Sequence, residues 1–217
     1  LALLNEILGR ARYGPTVFGC QAPDSGNAEI LAHYGTPEQK RRYLEPLLNN
    51  DIVSCFAMTE PQGGADPKVF TTQAVRDGDH WVISGQKWFA SHANFAEFLI
   101  TMAITDPDAP PYQRMSMFIV PRDTPGLRII RNVGFVTEKV ATHGYLSFDD
   151  VRVPADHMLG PQGGAFVVAQ VRLGGGRIHH AMRTIGEARR ALDMMCERAL
   201  SRVTQGERLA RKQMVQE

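Results

Sequence analysis

Residues Cys55 to Asp66 read Cys-Phe-Ala-Met-Thr-Glu-Pro-Gln-Gly-Gly-Ala-Asp, an apolar run that stops at a polar turn. The apolar part, Ile52 to Met58, has the length and composition of a buried strand, and Thr59-Glu60-Pro61 followed by a Gly pair ends it. Strand ends are where binding sites are built. Thr59 offers a hydroxyl just as the chain leaves the core, and Gly63 and Gly64 let backbone N–H groups approach a ligand with no Cβ in the way. The same letters also describe an ordinary Pro-Gly turn at a sheet edge. Three further groups could do chemistry. Ser91-His92 ends a second apolar stretch, Gly174-Gly175-Gly176 precedes Arg177, and the chain from Arg172 onward carries ten Lys and Arg against five Asp and Glu. Such a basic end can meet phosphates, although a solvated helix face has the same composition. The glycine triple either lets a ligand reach the backbone or joins two helices.

The elements that must position these groups change period twice. Residues 1–50 are helical. Leu3, Leu4, Ile7 and Leu8 recur at helical spacing, Gly14-Pro15 breaks the pattern, and Asn27 is placed to cap a helix over 28–34. Thr36-Pro37-Glu38-Gln39 then starts another helix, with Thr36 as N-cap, Pro37 at the first helical position and Gln39 closing a capping box. From 51 to 156 the period is two. Thr72–Arg76 and Trp81–Ser84 flank the turn Asp77-Gly78-Asp79, and strands follow at Trp88–Ser91, Ala96–Thr105, Ser116–Val120, Gly126–Ile130 and Gly144–Phe148. About seven short strands with turns between them predict a closed or sandwiched antiparallel domain. From 157 to 217 the helical period returns, with one apolar stripe through Met182, Ile185, Ala188, Leu192, Met195 and Ala199. The fold class is therefore α+β and multidomain.

Composition narrows the function. The 217 residues are 43% hydrophobic, enough for a core, and carry a net charge of +1, which gives no global field toward nucleic acid or a membrane surface. Cys20, Cys55 and Cys196 are odd in number and far apart, so neither a disulfide framework nor a zinc site is indicated, no other metal site is expected, and a reducing compartment fits. No apolar run approaches the roughly 18–20 residues of a membrane span, and no signal peptide opens the chain, so a soluble protein is expected. Both Leu1 and Glu217 fall inside helical patterns, as expected of a piece of a longer chain.

Four motifs in order, Phe56-Ala57-Met58-Thr59-Glu60-Pro61 with Gly63-Gly64-Ala65-Asp66, Gly85 to Ser91, Phe148 to Pro154, and Arg202-x-Thr204-x-Gly206, resemble the acyl-CoA dehydrogenase family over nearly the whole chain. The resemblance implies an N-terminal helical domain (1–50), a central antiparallel β-barrel (51–156) and a C-terminal helical bundle (157–217), the first and last only partly present. The loop Pro23-Asp24-Ser25-Gly26-Asn27 with Cys20 looks like the branch that includes long-chain and 4-hydroxyacyl-CoA dehydrogenases. The implied cofactor is FAD and the implied reaction is α,β-dehydrogenation of an acyl-CoA, with an electron-transfer flavoprotein as acceptor.

Carried over residue by residue, Phe56, Met58 and Thr59 would line the flavin, Phe89 would stack on it in place of the usual Trp, and Ser91 would replace the usual Thr as hydrogen-bond donor. Arg202, Thr204 and Gln213 match residues that reach the FAD of a neighbouring subunit, which implies a homodimer or homotetramer; Gln205 departs from the usual Phe. Gly64, Ala65 and Arg177 fall at substrate-binding positions, with Ala65 where Ser is frequent and Gly174 where an Asp often contacts CoA. No carboxylate present matches the family's catalytic base, expected beyond Glu217, and Glu60 reads as bonded to its own turn. His92 reads as a satisfied surface histidine, the other reading being contact with flavin or substrate. The resemblance places the protein in the cytoplasm of a bacterium or in eukaryotic mitochondria or peroxisomes. An acyl-CoA oxidase and a non-catalytic scaffold share these features.

Overall fold

The computed structural model describes residues 1–64, 66–134 and 142–217. The chain opens with helices α1 (Ala2–Gly9), α2 (Gly14–Val17) and α3 (Asp24–Tyr34). After α3 comes the expected capping box. Gln39 N donates to Thr36 Oγ1 over 3.2 Å, and Thr36 N donates to Gln39 Oε1 over 3.1 Å. The helix it starts is not uniform: α4 (Pro37–Gln39) passes into a π turn, Lys40–Leu44, and then α5 (Glu45–Leu48). Pro46 has no N–H for the carbonyl four residues back, so the ladder loses a rung there. Asn27 does not cap a helix. Helix α3 begins three residues earlier, and Asn27 is buried within it, its amide donating to Ser54 Oγ at 2.8 Å and to the Cys55 carbonyl at 3.2 Å.

Among the described residues seven strands follow: β1 (Ser54–Ala57), β2 (Gln73–Asp77), β3 (His80–Ser91), β4 (Phe98–Ile104), β5 (Met115–Pro121), β6 (Leu127–Val133) and β7 (His143–Pro154). The expected 77–79 hairpin is present, with Asp77 opposite His80. The expected closed antiparallel barrel is not. Strand β4 runs parallel to β1 and, through Gln73 and Ile104, parallel to β2, while β5–β4, β2–β3, β3–β7 and β6–β7 are antiparallel. Among the described residues no pairing joins β5 to β6, so the sheet is mixed and open. The parallel pairing follows from the route of the chain, since a long excursion through the β2–β3 hairpin brings β4 back beside β1 in the same direction.

All seven residues of β4 are buried, and their alternation sorts them to two cores. Phe98, Ile100, Met102 and Ile104 pack with Ile30, Leu31 and Tyr43 from the helices, while Leu99 and Ala103 pack with Trp81, Ile83, Phe118 and Val153 across the sheet. Helix α6 (Ala165–Ser201) then runs unbroken through Gly174-Gly175-Gly176. The triple is helix rather than loop, and a Cβ on Gly174 or Gly176 would meet nothing within 4 Å.

The chain divides into two compact units, residues 22–174 and residues 1–21 with 175–217. In the second, a Cβ on Gly186 of α6 would lie 2.0 Å from the Glu6 carbonyl oxygen of α1, so glycine is what lets the two backbones touch. Arg189–Glu6 (2.6 Å) and Arg10–Asp193 (2.7 Å) ion pairs flank that contact. The apolar stripe of α6 is not covered: Ile185, Leu192 and Met195 are exposed. After α6 a short hairpin, β8 (Val203–Thr204) and β9 (Glu207–Arg208), turns at Gln205 and Gly206, both at positive φ, before helix α7 (Gln213–Gln216). Among the described residues no helix is long and apolar enough to cross a membrane.

Candidate functional site

In the unit of residues 22–174, β1 ends at Ala57 and the next residues are tied to β3. Lys87 Nζ donates to the Met58 carbonyl over 2.9 Å, and Trp88 N donates to the Thr59 carbonyl over 2.8 Å. Both side chains of the Lys87–Glu60 ion pair (2.8 Å) are closed to solvent. The Glu60 carboxylate also accepts from Thr71 N (2.7 Å), Thr72 N (3.0 Å) and Gln62 Nε2 (2.6 Å), and the Lys87 ammonium lies 4.8 Å from the Phe70 ring centre. Burial pushes the Glu60 carboxyl up, but Lys87 and these donors outweigh it and hold the group well below the usual carboxylate range. Burial likewise pushes the Lys87 ammonium down, against the pull of Glu60.

Glu60 is therefore structural, as expected, but it bonds well beyond its own turn. Gly63 N and Gly64 N both donate to the Glu60 carbonyl, at 3.1 and 3.3 Å, and a Cβ on Gly63 would lie 2.6 Å from the Phe70 ring. The glycine pair closes the turn, which is the plainer of its two sequence readings. Asp66 accepts from Lys68 N at 3.0 Å, capping a short 3-10 turn over Pro67–Val69, and Ala65 lies outside the described residues.

The second half of the site is made by a β-bulge. The β3–β7 register jumps from Lys87↔Leu146 to Ala90↔Gly144, so Trp88 and Phe89 together oppose Tyr145. Phe89 takes φ +53°, uncommon for an aromatic residue, and its side chain is turned outward, 41% exposed. Trp88 packs against Tyr145 with ring centres 5.0 Å apart, and the Arg131 guanidinium lies 5.3 Å from the Trp88 ring centre. At the end of β3, Ser91 Oγ is 2.8 Å from His143 Nδ1 on β7.

His92 follows at φ +68° and is half-buried rather than a surface histidine. Its Nδ1 has no hydrogen-bond partner and lies 3.8 Å from Asp24 Oδ2. Desolvation lowers its pKa, against Asp24 and together with His143. Phe56, half-buried, carries the Arg172 guanidinium 3.7 Å from its ring centre. Arg172 Nε in turn donates to Asn27 Oδ1 at 2.8 Å, and Asp24 Oδ1 accepts from Ser54 N (2.8 Å) and Ser54 Oγ (2.6 Å).

The structure thus gathers Phe56, Met58, Thr59, Phe89 and Ser91 in one unit, with Thr59 fastened to the residue before Phe89. In the other unit, Arg177 is an exposed residue of α6, Arg202 follows the end of that helix, and Thr204 pairs with Glu207 in the hairpin. The Arg202 carbonyl accepts from Leu209 N at 2.8 Å, and Gln213 Nε2 donates to Glu217 Oε1 at 2.8 Å. Among the described residues no group of three or more His, Cys, Asp and Glu could hold a metal ion.

Sequence reasoning passed over Lys87, His143 and the Asp24–Asn27–Ser54–Arg172 network. Lys87 had a signal, since it shares the core-facing parity of Trp81 and Ile83 and a core lysine requires a carboxylate. The network had none, because its members meet only through the packing of α3, β1 and α6. An outward aromatic ring beside a hydroxyl, on a backbone locked from behind, suits a planar group with polar edges, and these residues fit a flavin on that ground.

The model of the acyl-CoA dehydrogenase middle domain matches residues 55–151, and that of the acyl-CoA dehydrogenase C-terminal domain matches residues 163–217. Among curated relatives, the probable acyl-CoA dehydrogenase FadE2 of Mycobacterium tuberculosis is 44% identical, covering 100% of this chain and 54% of that protein. Acyl-CoA dehydrogenase family member 11 of Gallus gallus is also 44% identical, covering 99% of this chain and 28% of that protein. The chain thus spans from about a quarter to about half the length of these relatives. Among solved structures, a putative acyl-CoA dehydrogenase from Mycobacterium abscessus superposes with a TM-score of 0.88 at 45% identity, over 99% of this chain and 54% of that one. A glutaryl-CoA dehydrogenase from Mycobacterium smegmatis in complex with FADH2 superposes with a TM-score of 0.79 at 28% identity, over 89% of this chain and 48% of that one.

Proposed function

Because the chain belongs to the acyl-CoA dehydrogenase family, we propose that it takes part in FAD-dependent α,β-dehydrogenation of an acyl-CoA, with a long-chain or 4-hydroxyacyl thioester as substrate. The observation that carries this reading is the fixed strand exit at Met58-Thr59 beside the bulge that turns Phe89 outward next to Ser91. FAD, when bound, supplies the acceptor for the hydrogen that leaves the β-carbon.

The chain's own residues supply the rest. The Phe89 ring offers a face to stack against, and the Ser91 and Thr59 hydroxyls offer hydrogen bonds at a polar edge. The Lys87–Glu60 lock and the Trp88–Thr59 bond hold these groups still, so that donors aimed at developing charge need no rearrangement. Phe56 and Met58 form the apolar wall. Arg202, Thr204 and Gln213 are assigned to the cofactor's phosphates in a partner subunit of a homodimer or homotetramer, a reading supported by the guanidinium's fit to phosphate and by the uncovered apolar stripe of α6. Gly64, Ala65 and Arg177 are assigned to the CoA thioester. Proton abstraction falls to a carboxylate beyond Glu217, and reoxidation to an electron-transfer flavoprotein.

The test is direct. Purified full-length protein should be yellow with bound FAD, and the flavin absorbance should bleach when a long-chain or 4-hydroxyacyl-CoA is added without oxygen. Protein that holds no FAD would overturn the reading. Reoxidation as fast with oxygen alone as with an electron-transfer flavoprotein would make it an oxidase.

A further inference from the structure

We propose that His143 is a positioning residue for Ser91, holding a proton on Nδ1 so that the Ser91 hydroxyl is free to donate away from the protein. This rests on the reading of Ser91 as a donor to a bound flavin. Ser91 and His143 are direct cross-strand partners in the β3–β7 pair, which sets their side chains on one face of the sheet, and Ser91 Oγ is 2.8 Å from His143 Nδ1.

A serine hydroxyl has one proton and two lone pairs. If Nδ1 is bare, Ser91 gives its proton to the imidazole and presents only lone pairs outward, which repel an electron-rich acceptor. If Nδ1 carries the proton, the imidazole donates to Ser91 and the serine proton points at the ligand. The ring nitrogen facing Ser91 therefore decides whether the hydroxyl is a donor or an acceptor on its open side.

The surroundings hold this arrangement in place. The bulge at Trp88-Phe89 sets the Phe89 ring edge-on to the His143 ring, 6.2 Å between centres, which restricts imidazole rotation. The Ala90↔Gly144 pairing anchors both strands one residue from the contact, and a Cβ on Gly144 would lie 2.7 Å from the Ala93 side chain, so β7 packs closely against the turn that follows β3. His92, at φ +68°, packs its ring at a tilt against Phe95 with ring centres 4.8 Å apart, and its Nδ1 lies 3.8 Å from Asp24 Oδ2.

Two measurements test this. Long-range 1H–15N spectra of protein labelled with 15N-histidine, with and without FAD, should show hydrogen on the His143 nitrogen that faces Ser91; a bare Nδ1 overturns the proposal. In the FAD-loaded enzyme, His143→Ala should lower the flavin reduction potential and slow single-turnover reduction about tenfold, the rate equivalent of one hydrogen bond. His143→Asn, whose amide N–H can stand in for Nδ1–H, should restore most of both. Ser91→Ala should reproduce the His143→Ala effect, and the double variant should lose no more than either single one. Additive losses, or an unchanged potential in His143→Ala, would also refute the role. Should His143→Ala fail to fold, the tautomer in the unmodified protein still decides. Should the protein hold no flavin, the dehydrogenase reading falls while the flavin-free spectra still report on His143.

Discussion

Removing the Lys87 ammonium would leave the Glu60 carboxylate without a cation in a space closed to water. Breaking one side of a buried ion pair costs about 3–5 kcal/mol, and that is the loss expected for Lys87→Met in urea denaturation. Glu60→Gln/Lys87→Met, which removes both charges while keeping an acceptor for Thr71 and Thr72, should lose clearly less than the two single variants summed. The same pair predicts a pH dependence. The Glu60 carboxyl is held from an ordinary value of 4.5 down to about 2 in the folded protein. Its contribution is thus fully present above about pH 4.5 and is lost as pH falls toward 2. Stability measured across that window should fall more steeply in the unmodified protein than in Glu60→Gln. Lys87 was legible from strand parity once β3 was drawn through it. Its partner was not, because Glu60 is 27 residues away and nothing local pairs them.

At the scale of elements, the glycines of α6 divide into two kinds that look alike in the sequence. Gly186 faces the Glu6 carbonyl of α1 at a distance no Cβ can occupy, whereas Gly174 and Gly176 face open space. Gly186→Ala should therefore destabilise the unit it joins by about 1–3 kcal/mol through overpacking. Gly174→Ala and Gly176→Ala should each stabilise the helix by about 0.8–1 kcal/mol. Thermal unfolding of the three variants checks both signs, and equal effects would mean that α1 does not rest on Gly186. The capping box and the 77–80 hairpin were readable because each is set by residues three or fewer apart. The parallel placement of β4 beside β1 was not, because it depends on where a 40-residue excursion returns (Met58 to Glu97).

For the whole molecule, the cofactor assignment predicts that Arg202→Ala weakens FAD retention on the order of tenfold, the loss of a charged hydrogen bond to phosphate. FAD content after desalting and the elution volume on gel filtration measure it, and a variant that holds FAD as tightly as the unmodified protein would remove Arg202 from the site. The sequence by itself determined the order helix, strand, helix and the family, and by resemblance named the residues proposed for the flavin side, because periodicity and short motifs are written along the chain. It also pointed to a turn at Gly63-Gly64. Only the tertiary structure decided that the sheet is open and mixed, that Gly174 to Gly176 are helical, and that Asn27 lies in a buried network rather than at a cap. It alone placed Lys87 behind Thr59 and His143 beside Ser91. Those outcomes turn on which surfaces the chain brings together across tens of residues, where burial and hydrogen bonding outweigh local preference.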